Sequence, residues 1–455
     1  MTLAQSLAVV IFLAMFIAII YGKVHRYIPA LIGAAAVIFL VFLAVENRPD
    51  SAWAVLNIEQ LTRPTFWMHE VHLEHVEVTK GINWQTVIFI AGMMVMVEGL
   101  GAAGLFRWLC LAVAQLVHYK VIPVFVSFML LAGFLSMFID SITVLLFMAS
   151  VTIELARLLK FDPVPVIIAE IFAANVGGSA TMVGDPPNVI IGTSLGYTFT
   201  DFALNTGPIA WVGMMCALGL MYLFFRKQLQ PRSNPAVPPS ASVFSKEAIP
   251  DLQAFLIHTA IFILVVVLLI THAQTHLSVA LIGVIASTLT LIAAGREAPT
   301  LLARVDWRTL LFFIGLFICV GGLEETGVLT IIAQAIGDIS QGDLAMTIAL
   351  ILWVSAFASA IVDNIPFAAT MVPVIRDIAA TQGMSLPTLA WTLALGTDLG
   401  GTATPIGASA NVVGTAIAER EGHPITWGTF LKYSLPAMLV VVAVSHILLI
   451  VRYVR

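Results

Sequence analysis

Asp140 in FLSMFIDSITVLLF and Asp363 in FASAIVDNIPFAAT stand in the middle of long apolar stretches, and they stand 223 residues apart. The same offset lays GGSATMVGDPPNV (177–189) over GGTATPIGASANV (400–412), with Gly177/Gly400, Gly178/Gly401, Ala180/Ala403, Thr181/Thr404, Gly184/Gly407, Asn188/Asn411 and Val189/Val412 identical. Upstream it pairs Trp84 with Trp307, Gly92 with Gly315, Gly99 with Gly322, Gly104 with Gly327 and Ser136 with Ser359. A carboxylate inside hydrocarbon is expensive, so each is read first as a proton or cation site. Glycines interrupting apolar segments at equivalent places in two halves point to the binding site of a transporter.

Two kinds of chemistry are on offer. Asp140-Ser141 and Asp363-Asn364 are good helix N-caps, with Pro366 suited to the first turn that follows. A carboxylate can cap a helix and still take up a proton, so the structural and the coupling roles overlap. At the breaks, Gly177, Gly178 and Gly184, and Gly400, Gly401 and Gly407, let the helix unwind. Ser179, Thr181, Asn188, Thr402, Thr404 and Asn411 then place hydroxyls and amides around exposed backbone. Together with Ser141 and Asn364 they form the candidate substrate-binding set. Asp185-Pro186-Pro187 in the first break is matched by Ala408-Ser409-Ala410 in the second, so only one half adds a third carboxylate. The coupling candidates are therefore Asp140, Asp185 and Asp363, in a site pseudo-symmetric in shape and asymmetric in charge. Glu98, Glu170, Asn175 and Asp398 lie in the same apolar segments. No lysine or arginine occurs within 85–105, 121–156, 161–225, 309–375 or 377–419.

The elements that must position these groups are membrane helices. Of 455 residues, 60% are hydrophobic and 10% charged, with a mean hydropathy of +1.01, too little charge to cover a soluble surface. The net charge of −5 gives no reason to expect a nucleic-acid partner. Cys110, Cys216 and Cys319 have neither metal nor disulfide spacing and read as packing residues. Residues 3–21 lack a basic start and a cleavage site and read as a retained span. Further apolar segments run over 28–46, 85–105, 121–156, 163–225, 252–271, 277–294, 309–328, 345–375, 385–418 and 433–451. Several are too long for one crossing and too short for two, which re-entrant hairpins and broken helices explain. The expectation is an all-α polytopic protein: about ten transmembrane helices plus two hairpins, in two inverted-topology repeats with two discontinuous helices. The first repeat is 1–225, with its hairpin at about 121–156 and broken helix at about 163–200; the second is 252–455, with hairpin at about 345–378 and broken helix at about 385–418.

With the N-terminus outside, Lys23, Arg26, Arg107, Lys120, Arg157, Lys160, Arg226, Lys227, Arg232, Lys246, Arg296, Arg304, Arg308, Arg420 and Lys432 fall on the cytoplasmic side, leaving six basic residues elsewhere. Each half then has an odd number of crossings, which inverts the second copy. The proline- and serine-rich 226–251 reads as a cytoplasmic linker. In the polar segment 47–83, His69, His72 and His75 with Glu74 and Glu77 lack the H-E-x-x-H spacing, and the segment reads as a solvated loop.

NVGGSATMVGDPPNVIIG, SAIVDNIPFAATMVPV and GGTATPIGASANVVGTAIAE closely resemble the ArsB-type arsenite permease and melanosomal P-protein branch of the ion-transporter superfamily, which has the citrate-transporter-like fold. The resemblance runs from the second span to the end of the chain. That superfamily also holds D-type sodium/proton antiporters, silicate exporters and dicarboxylate and citrate symporters. The resemblance implies two hairpins whose tips, Asp140-Ser141-Ile142-Thr143 and Asp363-Asn364-Ile365-Pro366, meet broken helices at 177–188 and 400–411 near the midplane. The first tip departs from the pattern: P-protein-like sequences have Asp-Asn at both tips, and here Ser141 follows Asp140.

Charge balance selects the substrate. An interior of carboxylates offering only helix N-termini and backbone donors serves a multiply charged anion poorly. Neutral arsenite or antimonite needs only hydrogen bonds, and protons moving the other way need an acid. The sequence therefore points to proton-coupled efflux of arsenite or antimonite across the inner membrane, with sodium/proton antiport as the alternative and a carboxylate or other anion symporter behind both. No histidine lies near either break and no nucleophile sits with its base, so an enzyme is not expected; no cofactor or metal is implied. The chain has no G-x-x-x-x-G-K-[ST] loop, so any ATP dependence would come from a separate soluble ATPase subunit, which arsenite permeases accept. Beyond the lipid bilayer and small ions, a homodimer is the remaining partner to consider.

Overall fold

In the computed structural model, residues 1–68, 81–229 and 249–454 are described. The His69–His75 segment and most of the 226–251 linker lie outside them. Eighteen principal helices run in order. In the first half they are α1 (Leu3–Tyr21), α2 (Tyr27–Val45), α3 (Trp84–Ala102), α4 (Leu105–Leu116), α5 (Val121–Ser136), α6 (Ser141–Leu159), α7 (Val164–Gly178), α8 (Pro186–Leu195) and α9 (Phe199–Phe225). In the second they are α10 (Leu252–Thr275), α11 (Val279–Ala294), α12 (Trp307–Glu325), α13 (Val328–Ser340), α14 (Leu344–Ile361), α15 (Asn364–Gln382), α16 (Leu386–Gly401), α17 (Ser409–Arg420) and α18 (Trp427–Tyr453). Among the described residues, ten helices are long and apolar enough to cross a membrane.

From α3/α12 to α8/α17 the paired helices start 223 residues apart to within one residue, so the internal repeat of the sequence is a repeat of helices. α5 and α6 form one helical hairpin and α14 and α15 the other, each packed along the first arm of its half's broken helix, α7 or α16, while the second arms cross over, α8 packing on α15 and α17 on α6. α7 is buried from Pro165 to Gly178 and α16 from Thr388 to Gly401, without a solvent or lipid face. These fully buried helices, which carry Glu170, Asn175 and Asp398 among apolar residues, are the centre of the molecule, and the hairpins, α9 and α18 enclose them. α1 and α10 lie at the periphery, where only Ala4, Ala8 and Met15 of α1 are buried.

The halves exchange their leading helices. α2 packs on α12 of the other half, and α11 on α3. Small residues allow the contact at equivalent places: a Cβ on Gly315 would lie 2.7 Å from the Ala30 backbone, and one on Gly92 would fall on the Gly283 backbone. Without a hydrophobic driving force between helices in lipid, such close backbone approach is what holds them together.

Two elements were not legible as separate helices. α4 and α13 each follow a glycine with a left-handed backbone, Gly104 (φ +85°) and Gly327 (φ +78°). Both are amphipathic, burying Leu105, Phe106, Cys110, Leu111 and Ala114 in one and Val328, Leu329, Ala333, Gly337 and Ser340 in the other. Twelve- and thirteen-residue amphipathic helices are too short for a hydropathy window to register as spans.

A Cβ on Gly177 would coincide with the Gly133 backbone, and one on Gly400 with the Ala356 backbone, whereas one on Gly219 would meet nothing within 4 Å. Gly177→Val and Gly400→Val are therefore expected to destabilise the fold by about 1–3 kcal/mol or more through overpacking, and Gly219→Ala to leave it unchanged. Thermal unfolding in detergent, followed by size exclusion, checks this; a stable, monodisperse Gly177→Val would contradict the packing described.

Candidate functional site: hairpin tips against helix breaks

Each hairpin turns on an aspartate. Asp140 caps α6, its carboxylate accepting from the Thr143 backbone N–H (3.0 Å) and hydroxyl (2.7 Å). Asp363 caps α15, accepting from the Ile365 N–H at 3.2 Å. Each tip is then tied to the break beside it. The Thr181 hydroxyl donates to the Met137 carbonyl and the Thr404 hydroxyl to the Ala360 carbonyl, the same bond in both halves. Gly184 and Gly407 bring the unwound chain against the carbonyls of Ser136 and Ser359.

The break is stitched from within by its asparagine. Asn188 Nδ2 donates to the carbonyls of Gly178 (3.2 Å) and Thr181 (3.0 Å), and Asn411 Nδ2 to those of Gly401 (2.7 Å) and Thr404 (2.6 Å). Ser179 and Thr402 donate to the Val176 and Leu399 carbonyls of their own helices. The hydroxyls and amides singled out for substrate contact are thus engaged with backbone in this conformation. Of that set, Ser141 and Asn364 donate to a side chain: Asn364 Nδ2 donates to Asp185 at 2.8 Å and the Ser141 hydroxyl reaches the same carboxylate at 3.4 Å. Asp185, at the start of α8, is where the two tips meet.

Asp398, which sequence reasoning left outside the coupling set, lies against Asp185 and Asn188 and is completely buried. Its signal was available, since it occupies the position of Asn175 in the repeat. Arg26 is the larger surprise. Counted by sequence only among the residues that set the orientation, it reaches from the start of α2 to the second tip, donating to Asp363 (2.9 Å), Ser409 (2.7 Å) and Thr309 (2.9 Å), with its guanidinium over the Phe312 ring. It comes from a segment distant in sequence, so a scan of the motif segments for basic residues could not find it. The interior therefore holds a guanidinium as well as backbone donors, and the sequence argument against anions loses part of its ground.

The two ends of the site differ. Residues 177–191 are buried throughout, whereas Ile406 and Val412 beside the second tip are 36% and 48% exposed. A cavity of about 610 Å³ opens elsewhere, between α4, α6 and the end of α17, lined by Tyr119, Glu154, Arg157 and Glu421 and by no residue of the tips or breaks. Between α8, α12 and α15 only about 20 Å³ is left, beside the Arg376–Glu324 ion pair at 2.7 Å.

The family profile described as Citrate transporter (CitMHS) matches residues 16–396. The chain belongs to the CitMHS family. This CitMHS chain is 32% identical to the Mycobacterium tuberculosis transporter Rv2684 over 98% of both chains, and 29% identical to the pig P protein over 99% of its own length and 59% of that longer protein. Among solved structures it is similar to the Alcanivorax borkumensis YdaH transporter (TM-score 0.57, 14% identity, 93% and 96% of the two chains) and to Neisseria gonorrhoeae MtrF (TM-score 0.54, 11% identity, 100% and 96%). At those identities the likeness is one of fold. The CitMHS chain is a multi-pass membrane transporter and not an enzyme, and the branch expected from its motifs is the one it falls in.

Two outcomes test this geometry. Thr404→Val removes a hydroxyl that satisfies the Ala360 carbonyl, so it should cost about 1–3 kcal/mol of stability, the penalty of an orphaned buried acceptor. Arg26→Met leaves the Asp363 carboxylate unpaired and should lower the thermal unfolding midpoint, and adding Asp363→Asn should restore most of the loss. Additive losses in that double variant would show that the two side chains do not act as a pair.

Proposed function

We propose that this transporter exports a small uncharged oxyhydroxide, arsenite or antimonite, in exchange for protons. One observation carries the reading: the carboxyls of Asp140, Asp185, Asp363 and Asp398 gather where the tips meet the breaks. Among the described residues, the one cation bonded to that group is Arg26, already held by Asp363. Such a centre is built to load and release protons or cations. A neutral substrate adds no charge to it and asks only for hydrogen bonds of the kind that Ser141 and Asn364 make to Asp185.

Coupling follows from how Arg26 is bonded. The guanidinium joins Asp363 of the tip, Ser409 of α17 and Thr309 of α12. A proton on Asp363 removes the charge that holds this bridge, freeing the second tip from α2 and α12 together. Proton uptake and tip movement are then one event, as exchange requires. Arg26 also supports a second reading, transport of a carboxylate such as citrate, because a guanidinium released by Asp363 offers a paired donor fork to an incoming carboxylate; the family's description as citrate transporters agrees with it.

Proteoliposomes under an imposed pH gradient, with internal pH followed by fluorescence, separate these readings. Proton movement on adding arsenite alone supports the metalloid exchanger; movement on adding citrate alone supports the carboxylate reading with Arg26 as its anchor. Movement with sodium alone makes the protein a sodium/proton antiporter. Asp363→Asn should fold and lose the coupled proton movement, and undiminished gradient-driven transport by that variant would remove Asp363 from the mechanism.

A further inference from the structure

The breaks are joined across the halves by one pair of side chains on each side of the pseudo-symmetry. On one side, Asn175 Nδ2 donates to Asn411 Oδ1 at 2.8 Å, while the Asn411 amide protons go to Gly401 and Thr404. On the other, Asn188 spends its amide protons in the same way on Gly178 and Thr181, but the residue facing it, in the place of Asn175, is Asp398. Asp398 is 0% exposed, and among the described residues no donor reaches either of its carboxylate oxygens with hydrogen-bond geometry; Asn188 Oδ1, equally buried, has no donor there either. The other group against Asp398 is the carboxyl of Asp185, likewise without an N–H to give.

An ionised Asp398 would be a buried charge without a donor, at a cost of several kcal/mol. A carboxylic acid has the O–H that the arrangement lacks. It can give that proton to Asn188 Oδ1, reproducing the Asn175–Asn411 bond, or to the Asp185 carboxylate. We propose that Asp398 is a neutral carboxylic acid in this conformation and carries an exchangeable proton of the transport cycle, passed to and from Asp185. Facing this pair are Asn188 from α8 and, beyond Asp185, Asp140 and Asp363 at the two tips, the latter with Arg26. No bond other than O–H is made or broken: the proton leaves Asp398 oxygen for Asp185 oxygen, and the negative charge moves the opposite way. The transport half of the proposal rests on proton coupling; the protonation state does not.

The direct test is infrared spectroscopy of the reconstituted protein at neutral pH. Asp398→Asn supplies an N–H where the acid supplied an O–H, so it should fold as the wild type does and remove a protonated-carboxyl C=O band from the spectrum. Identical carbonyl regions in the two proteins would overturn the proposal. If Asp398→Asn does not accumulate, Glu170→Gln decides, since it removes the other completely buried acid of the central helices: the band must persist in that variant, and its absence overturns the assignment. In liposomes, Asp398→Asn should lose at least tenfold of the acceleration that a pH gradient gives to transport. Wild-type acceleration in the folded variant would rule out Asp398 as a proton carrier. Should the wild type move no protons with any substrate, the exchanger reading fails while the infrared result still stands.

Discussion

A peptide group that leaves a helix inside hydrocarbon has no water to turn to, and every unsatisfied N–H or C=O there costs several kcal/mol. The arrangement at the centre of this transporter answers that constraint. Thr181 and Thr404 satisfy carbonyls at the ends of the opposing hairpin arms, while Asn188 and Asn411 each satisfy two carbonyls of their own break. Interrupted helices survive because hairpin and break complete each other. It follows that each tip and the break beside it behave as one body, and that motion is concentrated between such bodies.

On this symmetric scaffold the chemistry is uneven. The first break contributes Asp185 and is sealed; the second substitutes the small Ala408 and Ser409 and admits the Arg26 side chain, near residues that reach the surface. In the first half α8 docks directly on α3, through Thr193 against Asn83 and Thr86. In the second half the residue equivalent to Thr86, Thr309, is occupied by Arg26, which stands between α12 and α17. One half is closed by neutral hydrogen bonds and the other by a charged bridge whose strength depends on the protonation of its partner.

Much of this was legible in the sequence, for reasons that also explain what was not. Pairing Asp140 with Asp363 and Gly177 with Gly400 located the hairpin turns and the breaks, because glycine, capping residues and apolar length act locally and leave marks at fixed positions. Arg26 left no such mark, since its role depends on α2 crossing to the other half. Asp398 was visible only as one more acid; what distinguishes it is the amide it faces from the other break, and a partner 210 residues away in the chain is a tertiary fact. The hydroxyls of Thr181 and Thr404 were read as open to a ligand because sequence shows a donor without showing what it already serves.

The exchange of α2 and α11 between the halves means that neither half closes on its own. Separated at the linker, the first half would present the glycine face of α3 without α11 to fill it, and its α2 would keep α1 but lose α12; the second half would have the complementary defects at α12 and α11. Each is the other's missing wall. The architecture is that of two interlocked subunits made continuous by a tether, and the ancestral unit such a plan implies is a half-length chain that was complete only when a second copy lay against it.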